Sequence, residues 1–439
     1  MAAIVWLRRD LRLADNPALR AAMAGGRAAI PAFVWSPEGE DEWAPGTASR
    51  WWLHQSLEEL RGALERRGAR LVVRRGPPAG ALVRLARECG ADAVFWNGRG
   101  ETAVARALAD AGIAAQELPG NLLFEPGTIL NRAGQPFRVF TAFWKACLRA
   151  PAPDAPLAAP RRIPGLARWP ESLAVADLGL EAGLGRTAGL SLAWQPGERS
   201  GQRRMKAFLG SAVEAYARDR DRPDREGTSR LSPHLHFGEV SARQAWRGAL
   251  AHGPAAEPFL RQLAWREFAH HLLFHYPETR REPLRAEFRR FPWLADGAGL
   301  RAWQRGMTGY PLVDAGMREL WQTGWMHNRV RMVAASFLVK HLLIPWQEGA
   351  AWFRETLVDA DPANNTLGWQ WCAGCGADAA PYFRIFNPAI QAAKFDPEGS
   401  YVRRWVPELA GAGKYPQPIV AHEAARRRAL EALAAMRAK

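Results

Sequence analysis

The chain has 439 residues, 48% of them hydrophobic and 23% charged, the balance of a soluble globular protein long enough for two domains. Lys and Arg number 59 against 44 Asp and Glu, a net charge of +15, so charge favours a polyanionic partner, nucleic acid first. Only Cys89, Cys147, Cys372 and Cys375 are present, which excludes a disulfide framework and points to a reducing, cytoplasmic setting.

From Ala2 to Glu117, short β-rich runs (AIVWL, AAIPAFVW, ARLVVR, ADAVFWN, IAAQEL) alternate with helical patterns such as Ser49 to Arg67. That alternation predicts a Rossmann-like parallel α/β domain over residues 1–125. Neither GxGxxG nor a P-loop occurs in it, and Trp51, Trp52 and Leu53 are expected in its core. Residues 126–195 are expected to link two domains, because Leu148 to Pro170 is rich in Pro and Ala and suits an extended surface connection. Residues 196–439 read as an all-α domain, with helices expected at Gly201–Tyr216, Ser241–Ala251, Pro258–His275, Leu300–Gly306, Pro311–Thr323, Trp325–Leu343, Trp346–Leu357 and Ala421–Arg437. Arg8, Arg9 and Asp10 interrupt any signal-peptide core, and Lys340 and His341 break the most apolar run, so no export signal or membrane span is expected.

Chemistry concentrates in four stretches. Asp359 to Pro388 mixes Asp359, Asp361, Asn364, Asn365, Trp369 and Trp371 without a clean amphipathic period, the composition of a lining for a polar, planar ligand. Its CxxC, Cys372 and Cys375, has no second pair or HxxxH, so no metal site is expected. Gly227 to Ser232 places Thr228, Ser229 and Ser232 around Arg230 in a turn suited to a diphosphate, although such turns are also ordinary helix caps. Gln262, Trp265 and Arg266 fall at i, i+3 and i+4 and so share a helix face, unless Trp265 is core and Arg266 pairs with Glu267. Trp325, Asn328 and Met332 fall on another stripe, with Arg331 pointing elsewhere; packing and contact with an aromatic ligand are both open to a Met there.

WLRRDLRLADNPAL, GTSRLSPHL, LAWREF, TGYPLVDAGMRELWQTGWMHNRVRM and NNTLGWQWCAGCGADAAPYFRIFNP together resemble the DNA photolyase and cryptochrome family, specifically bacterial class I cyclobutane pyrimidine dimer photolyases. The resemblance covers nearly the whole chain. It implies that the carboxyl-terminal helical domain binds FAD, with Tyr216 and Thr228, Ser229, Arg230, Leu231 and Ser232 around the phosphates. Asp359, Ala360 and Asp361 would lie at the ribityl and adenine side, Arg331 paired with Asp359, and Asn365 facing flavin N5.

Trp369, Trp346 and Trp293 match the family's electron-carrying tryptophan chain. The implied substrate is a pyrimidine dimer flipped out of UV-damaged DNA. Trp265 and Trp371 would wall its cavity, Asn328 and Met332 would line it, and Arg220, Gln262, Arg266, Arg329 and Gln391 would hold backbone or base edges.

Two departures from the family pattern stand out. Class I enzymes usually carry a glutamate where this chain has Gln262, and (6-4) photoproduct photolyases and animal-type cryptochromes have glutamine there; Met332 and the setting of Trp371 are of the dimer type. The segment after Trp96 looks short, which puts a folate or deazaflavin antenna in doubt. The short basic stretch after Ala421 argues against a cryptochrome-like blue-light receptor, and a monomer is expected.

Overall fold

The computed structural model describes residues 1–36, 44–181, 185, 187–379, 383–410 and 415–438. The five β-rich runs form one all-parallel sheet of β1 (Ala2–Leu7), β2 (Ala28–Trp35), β3 (Val72–Arg75), β4 (Ala91–Asn97) and β5 (Ala114–Leu118), in the order β3-β2-β1-β4-β5. Ile4 pairs with Ile30 on one side and Val94 on the other. β1 is central and every one of its residues is buried, as its unbroken apolar run requires, since parallel sheets are covered on both faces. β5 is an exposed edge carrying Gln116 and Glu117.

Helix Thr47–Glu65 covers one face through Trp51, Trp52, Leu53 and Leu57. Helices Pro78–Cys89 and Thr102–Asp110 cover the other.

The strand order reverses between β1 and β4, and the loop leaving β1 there locks the sheet to the helical part. Arg12 is fully buried; it donates to the carbonyls of Asp15, Gly120 (2.5 Å) and Gly238 (2.8 Å), drawing in both halves of the chain. Asp15, held at φ +52°, accepts from Arg243 Nη2 at 2.8 Å and Ser241 Oγ at 2.5 Å. Buried charges satisfied this fully resist separation, because parting them would leave each one unpaired in the interior.

Beyond residue 195 the chain is helical. Helix Pro362–Ala373 lies among Glu257–His275, Asn328–Ser336 and Trp346–Thr356, so side chains from four elements face one another. This helix sits inside the stretch for which the sequence showed no period. Its signals are local: Asp361 accepts from Asn364 N as N-cap, Pro362 occupies the first turn, and Gly374 at φ +90° ends it.

Two expected helices differ. Trp325–Leu343 is a helix over Asn328–Ser336 followed by one π turn, Phe337–His341, and Trp325 lies outside it because Gly324 (φ +68°) ends the preceding helix and His327 caps the next. Gly201–Tyr216 is a helix over Glu198–Ser211, with Tyr216 in a separate turn, Tyr216–Asp219. No described helix is long and apolar enough to cross a membrane. Residues 380–382, within the stretch singled out above, lie outside the described residues.

Candidate functional site

Arg331 leaves its helix to donate from Nη2 to Asp359 Oδ2 at 2.8 Å and from Nε to the Met326 carbonyl at 2.7 Å. Two residues on, past half-buried Ala360, the Asp361 carboxylate caps the next helix through Oδ1, which accepts from Asn364 N (2.9 Å) and Nδ2 (2.7 Å). Its Oδ2 faces His270 Nε2 at 3.4 Å, His236 Nδ1 at 3.7 Å and Arg9 Nη1 at 3.9 Å. Burial alone would raise this carboxyl, but His270 and His236 outweigh it and hold it well below the usual carboxylate range. One turn along, Asn365 Nδ2 donates to the Ala350 carbonyl at 3.0 Å. The sequence offered no signal for His236 or His270, whose partner is far away along the chain.

The Thr228 to Ser232 turn is built around a strained residue. Arg230 has φ +50°, a left-handed conformation that a residue with a Cβ adopts at some expense. Its guanidinium lies between two indoles, 4.5 Å from the Trp194 ring centroid and 4.7 Å from that of Trp325.

Its charge is therefore spent on aromatic faces, while hydroxyls and backbone make the turn: Ser229 Oγ accepts from Leu231 N at 3.3 Å, and Ser232 Oγ from Trp325 Nε1 at 3.4 Å. Thr228 is half-buried and Leu231 buried. The Tyr216 ring is packed edge-on to Phe208 and Phe259, with Arg220 over it at 5.3 Å.

Several buried polar atoms on these elements have no hydrogen-bond partner among the described residues: Asp359 Oδ1, Trp369 Nε1 and Arg230 Nε. Orphans of this kind are costly and point to a polar ligand. Carboxylates, an amide, imidazoles and a hydroxyl-bearing turn are the donors and acceptors that a flavin dinucleotide with its ribityl chain and adenine requires, and the residues present fit FAD.

Trp369 and Trp346 are buried in one hydrophobic core against which Trp293 packs. The Trp369 ring meets Phe353 at 4.9 Å and Trp303 at 6.0 Å, while Trp293 meets Phe291 at 4.4 Å. Gly349 is required beside Trp369, since a Cβ there would lie 2.0 Å from the indole. Neither Trp303 nor Gly349 was foreseen; nothing in their local sequence marks them.

The lesion-side residues are dispersed more than their shared helical faces suggested. Trp265 stacks flat on Phe140 at 3.8 Å, which occupies one of its faces. Arg266 turns to the Asn121 carbonyl (3.1 Å) and Glu267 (3.3 Å), while Gln262 on the same face is half-buried and has no side-chain hydrogen bond among the described residues.

Glu267 accepts from Leu123 N and Phe124 N, so this helix also anchors the chain leaving the sheet. Asn328 and Met332 do meet, Nδ2 to Sδ at 3.7 Å, without Trp325, which is buried. Arg329 pairs with Asp221 at 2.7 Å, Arg384 lies 5.1 Å over Trp371, and Gln391 is half-buried on helix Pro388–Phe395.

A parallel sheet carrying a helical half, with a flavin-compatible site between helices, defines a two-domain flavoprotein. Residues 3–161 match the family described as DNA photolyase, and residues 259–414 the FAD binding domain of DNA photolyase.

The chain is 44% identical to a deoxyribodipyrimidine photo-lyase of Agrobacterium fabrum, over 99% of this chain and 98% of that one. It is 39% identical to cryptochrome-1 of Arabidopsis thaliana, over 99% of this chain and 70% of the relative. The crystal structure of a bacterial class III photolyase from Agrobacterium tumefaciens superposes with a TM-score of 0.95 at 42% identity, covering 100% of this chain and 98% of that one. The chain belongs to the DNA photolyase family, to which cryptochromes are related; it is a photolyase-type lyase acting in DNA repair, and FAD is its cofactor.

Proposed function

We propose that the protein repairs cyclobutane pyrimidine dimers, binding the dimer flipped out of UV-damaged DNA. FAD, bound and reduced, supplies under blue light the electron that splits the cyclobutane ring and accepts it back. The protein's own residues hold and orient. Arg331, Asp359 and Asp361 grip the ribityl and adenine side, and the Thr228 to Ser232 turn with Tyr216 takes the phosphates.

The Asn365 amide, able to donate or accept, answers either protonation state at flavin N5. Trp371 and the free face of Trp265 wall the lesion, Asn328 and Met332 line its floor, and Gln262 bonds a base edge. Arg220, Arg329 and Gln391 hold the flanking backbone, joined by Arg266 if it swings away from Asn121. Trp369, Trp346 and Trp293 relay an electron inward from the surface.

The observation that carries this reading is the Arg331–Asp359 pair with its second carboxylate oxygen orphaned, two residues from an Asp361 ringed by His236, His270 and Arg9. The test mixes reduced protein with a thymine-dimer oligonucleotide and follows thymine absorbance. Recovery under blue light is expected; no recovery in light sinks the reading, and recovery in the dark refutes electron transfer.

Gln262 favours a second reading, repair of (6-4) photoproducts, which the same assay on that lesion separates. A cryptochrome-like receptor would bind FAD yet restore neither lesion. A folate or deazaflavin antenna is tested by pigment extraction, where flavin bands alone exclude it. We place the protein in the cytoplasm as a monomer.

A further inference from the structure

We propose that Lys340 is a positioning residue for the lesion-binding wall: it fixes the carboxyl end of the helix bearing Trp371 and the chain that lays Arg384 over that indole. The assignment rests on the repair reading above.

Lys340 lies in the π turn Phe337–His341 that continues the helix of Arg331 and Met332, and it is 1% exposed. Such turns insert one residue and rotate its side chain out of helical phase. The amine is thereby aimed inward. Its Nζ donates to the carbonyl of Ala373 at 2.6 Å, the last residue of helix Pro362–Ala373, and sits 3.0 Å from the ring centroid of Phe383.

The amine has no ion-pair partner among the described residues, and burial draws its pKa well below that of an exposed lysine. A methionine would fill this space without desolvating an amine. What lysine adds is a directed bond to a carbonyl that the end of a helix leaves unpaired. Gly374 permits the approach: it has φ +90°, and a Cβ there would lie 3.1 Å from Phe383 and 3.3 Å from Nζ.

Both contacts lead to the same place. Trp371 stands in the last turn of the helix, two residues before Ala373. Phe383 is followed by Arg384, whose guanidinium lies 5.1 Å over the Trp371 ring. Downstream, Phe386 N donates to Ser336 Oγ at 3.3 Å, on the helix that leads into the π turn. Lys340 thus ties the helix end and the returning chain to one point, and the Trp371–Arg384 stack lies between.

Trp369 and Asn365 sit one and two turns further from this anchor and have their own supports in Gly349 and the Ala350 carbonyl. Loss of the anchor should therefore be felt by the lesion before the flavin.

The experiment compares Lys340→Met, Phe383→Leu and the double variant with the full wild-type chain loaded with FAD. It measures dark binding of a thymine-dimer oligonucleotide and of the intact oligonucleotide, FAD content and the rate of flavin photoreduction. Lys340→Met is expected to raise the Kd for the dimer about tenfold, with photoreduction and FAD content held. The double variant is expected to be no weaker than Lys340→Met alone, because both act through one stack.

An unchanged Kd, additive effects, or an equal loss of photoreduction overturns the assignment. If Lys340→Met fails to fold, Phe383→Leu decides alone, since it leaves the bond to Ala373: an unchanged Kd overturns the proposal. A wild type that does not prefer the dimer to intact DNA overturns the repair reading itself, whereas a discriminating wild type with unaffected variants overturns only the role of Lys340.

Discussion

Arg331 Nη2 and Asp359 Oδ2 meet at 2.8 Å in a pair whose carboxylate is buried, and the other oxygen of Asp359 has no partner among the described residues. The pair joins helix Asn328–Ser336 to the segment entering helix Pro362–Ala373, so it sets the distance between two walls of the proposed flavin site. Arg331→Met would leave a buried carboxylate uncompensated, a loss of about 3 kcal/mol. The expected result is a lower thermal midpoint and a lower FAD-to-protein ratio by absorbance; wild-type flavin content would remove Arg331 from the site.

Gly349 and Trp369 touch so closely that Gly349→Ala must displace the indole. A Cβ would stand 2.0 Å from one ring atom and 2.4 Å from another, and overpacking on this scale destabilises by about 1–3 kcal/mol. Flavin photoreduction in thiol buffer should slow in Gly349→Ala. Trp369→Phe should suppress it, while enzyme reduced chemically beforehand still repairs; photoreduction at the wild-type rate in Trp369→Phe would exclude this indole from the relay.

Gln262 can bond a base edge but has no acidic proton to share with a dimer that has gained an electron. Gln262→Glu is expected to raise dimer repair per absorbed photon, measured by quantum yield with saturating oligonucleotide. An unchanged yield would show that the amide serves as well as the acid.

Burial pushes the Glu267 carboxyl up to about 7 from its ordinary 4.5, against the opposing pull of Arg266 and of the Phe124 and Leu123 N–H groups. Between those two values the folded chain keeps a proton that the unfolded chain has released. This contribution to stability is therefore present at pH 4.5 and lost as pH rises through 7, a change on the order of 3 kcal/mol. Glu267→Gln can still accept from Leu123 and Phe124 and has nothing to titrate. Chemical denaturation at pH 5 and pH 8 should show a flatter dependence in the variant, and an unaltered slope would assign the dependence to other groups.

Much of the architecture was legible along the chain, because strands and helices answer to local rules. The run AIVWL is apolar throughout and ADAVFWN is apolar but for Asp92 and Asn97; both became parallel strands, buried except at Asp92, and the helix Pro311–Thr323 began and ended where its proline and Gly324 dictated. Arg331, Asp359 and Asn365 were nameable as site candidates on other grounds, the resemblance of the motifs that carry them.

Which atoms meet was decided by packing. The sequence sets Arg230 in a turn suited to a diphosphate, and the fold lays its guanidinium between Trp194 and Trp325, both distant from it along the chain. Arg266 shares a helical face with Gln262 but is drawn to the Asn121 carbonyl at the edge of the other domain. Helical period states which way a side chain leaves its own backbone, whereas its partner is chosen by elements distant in sequence, and those distances exist only once the helices have packed.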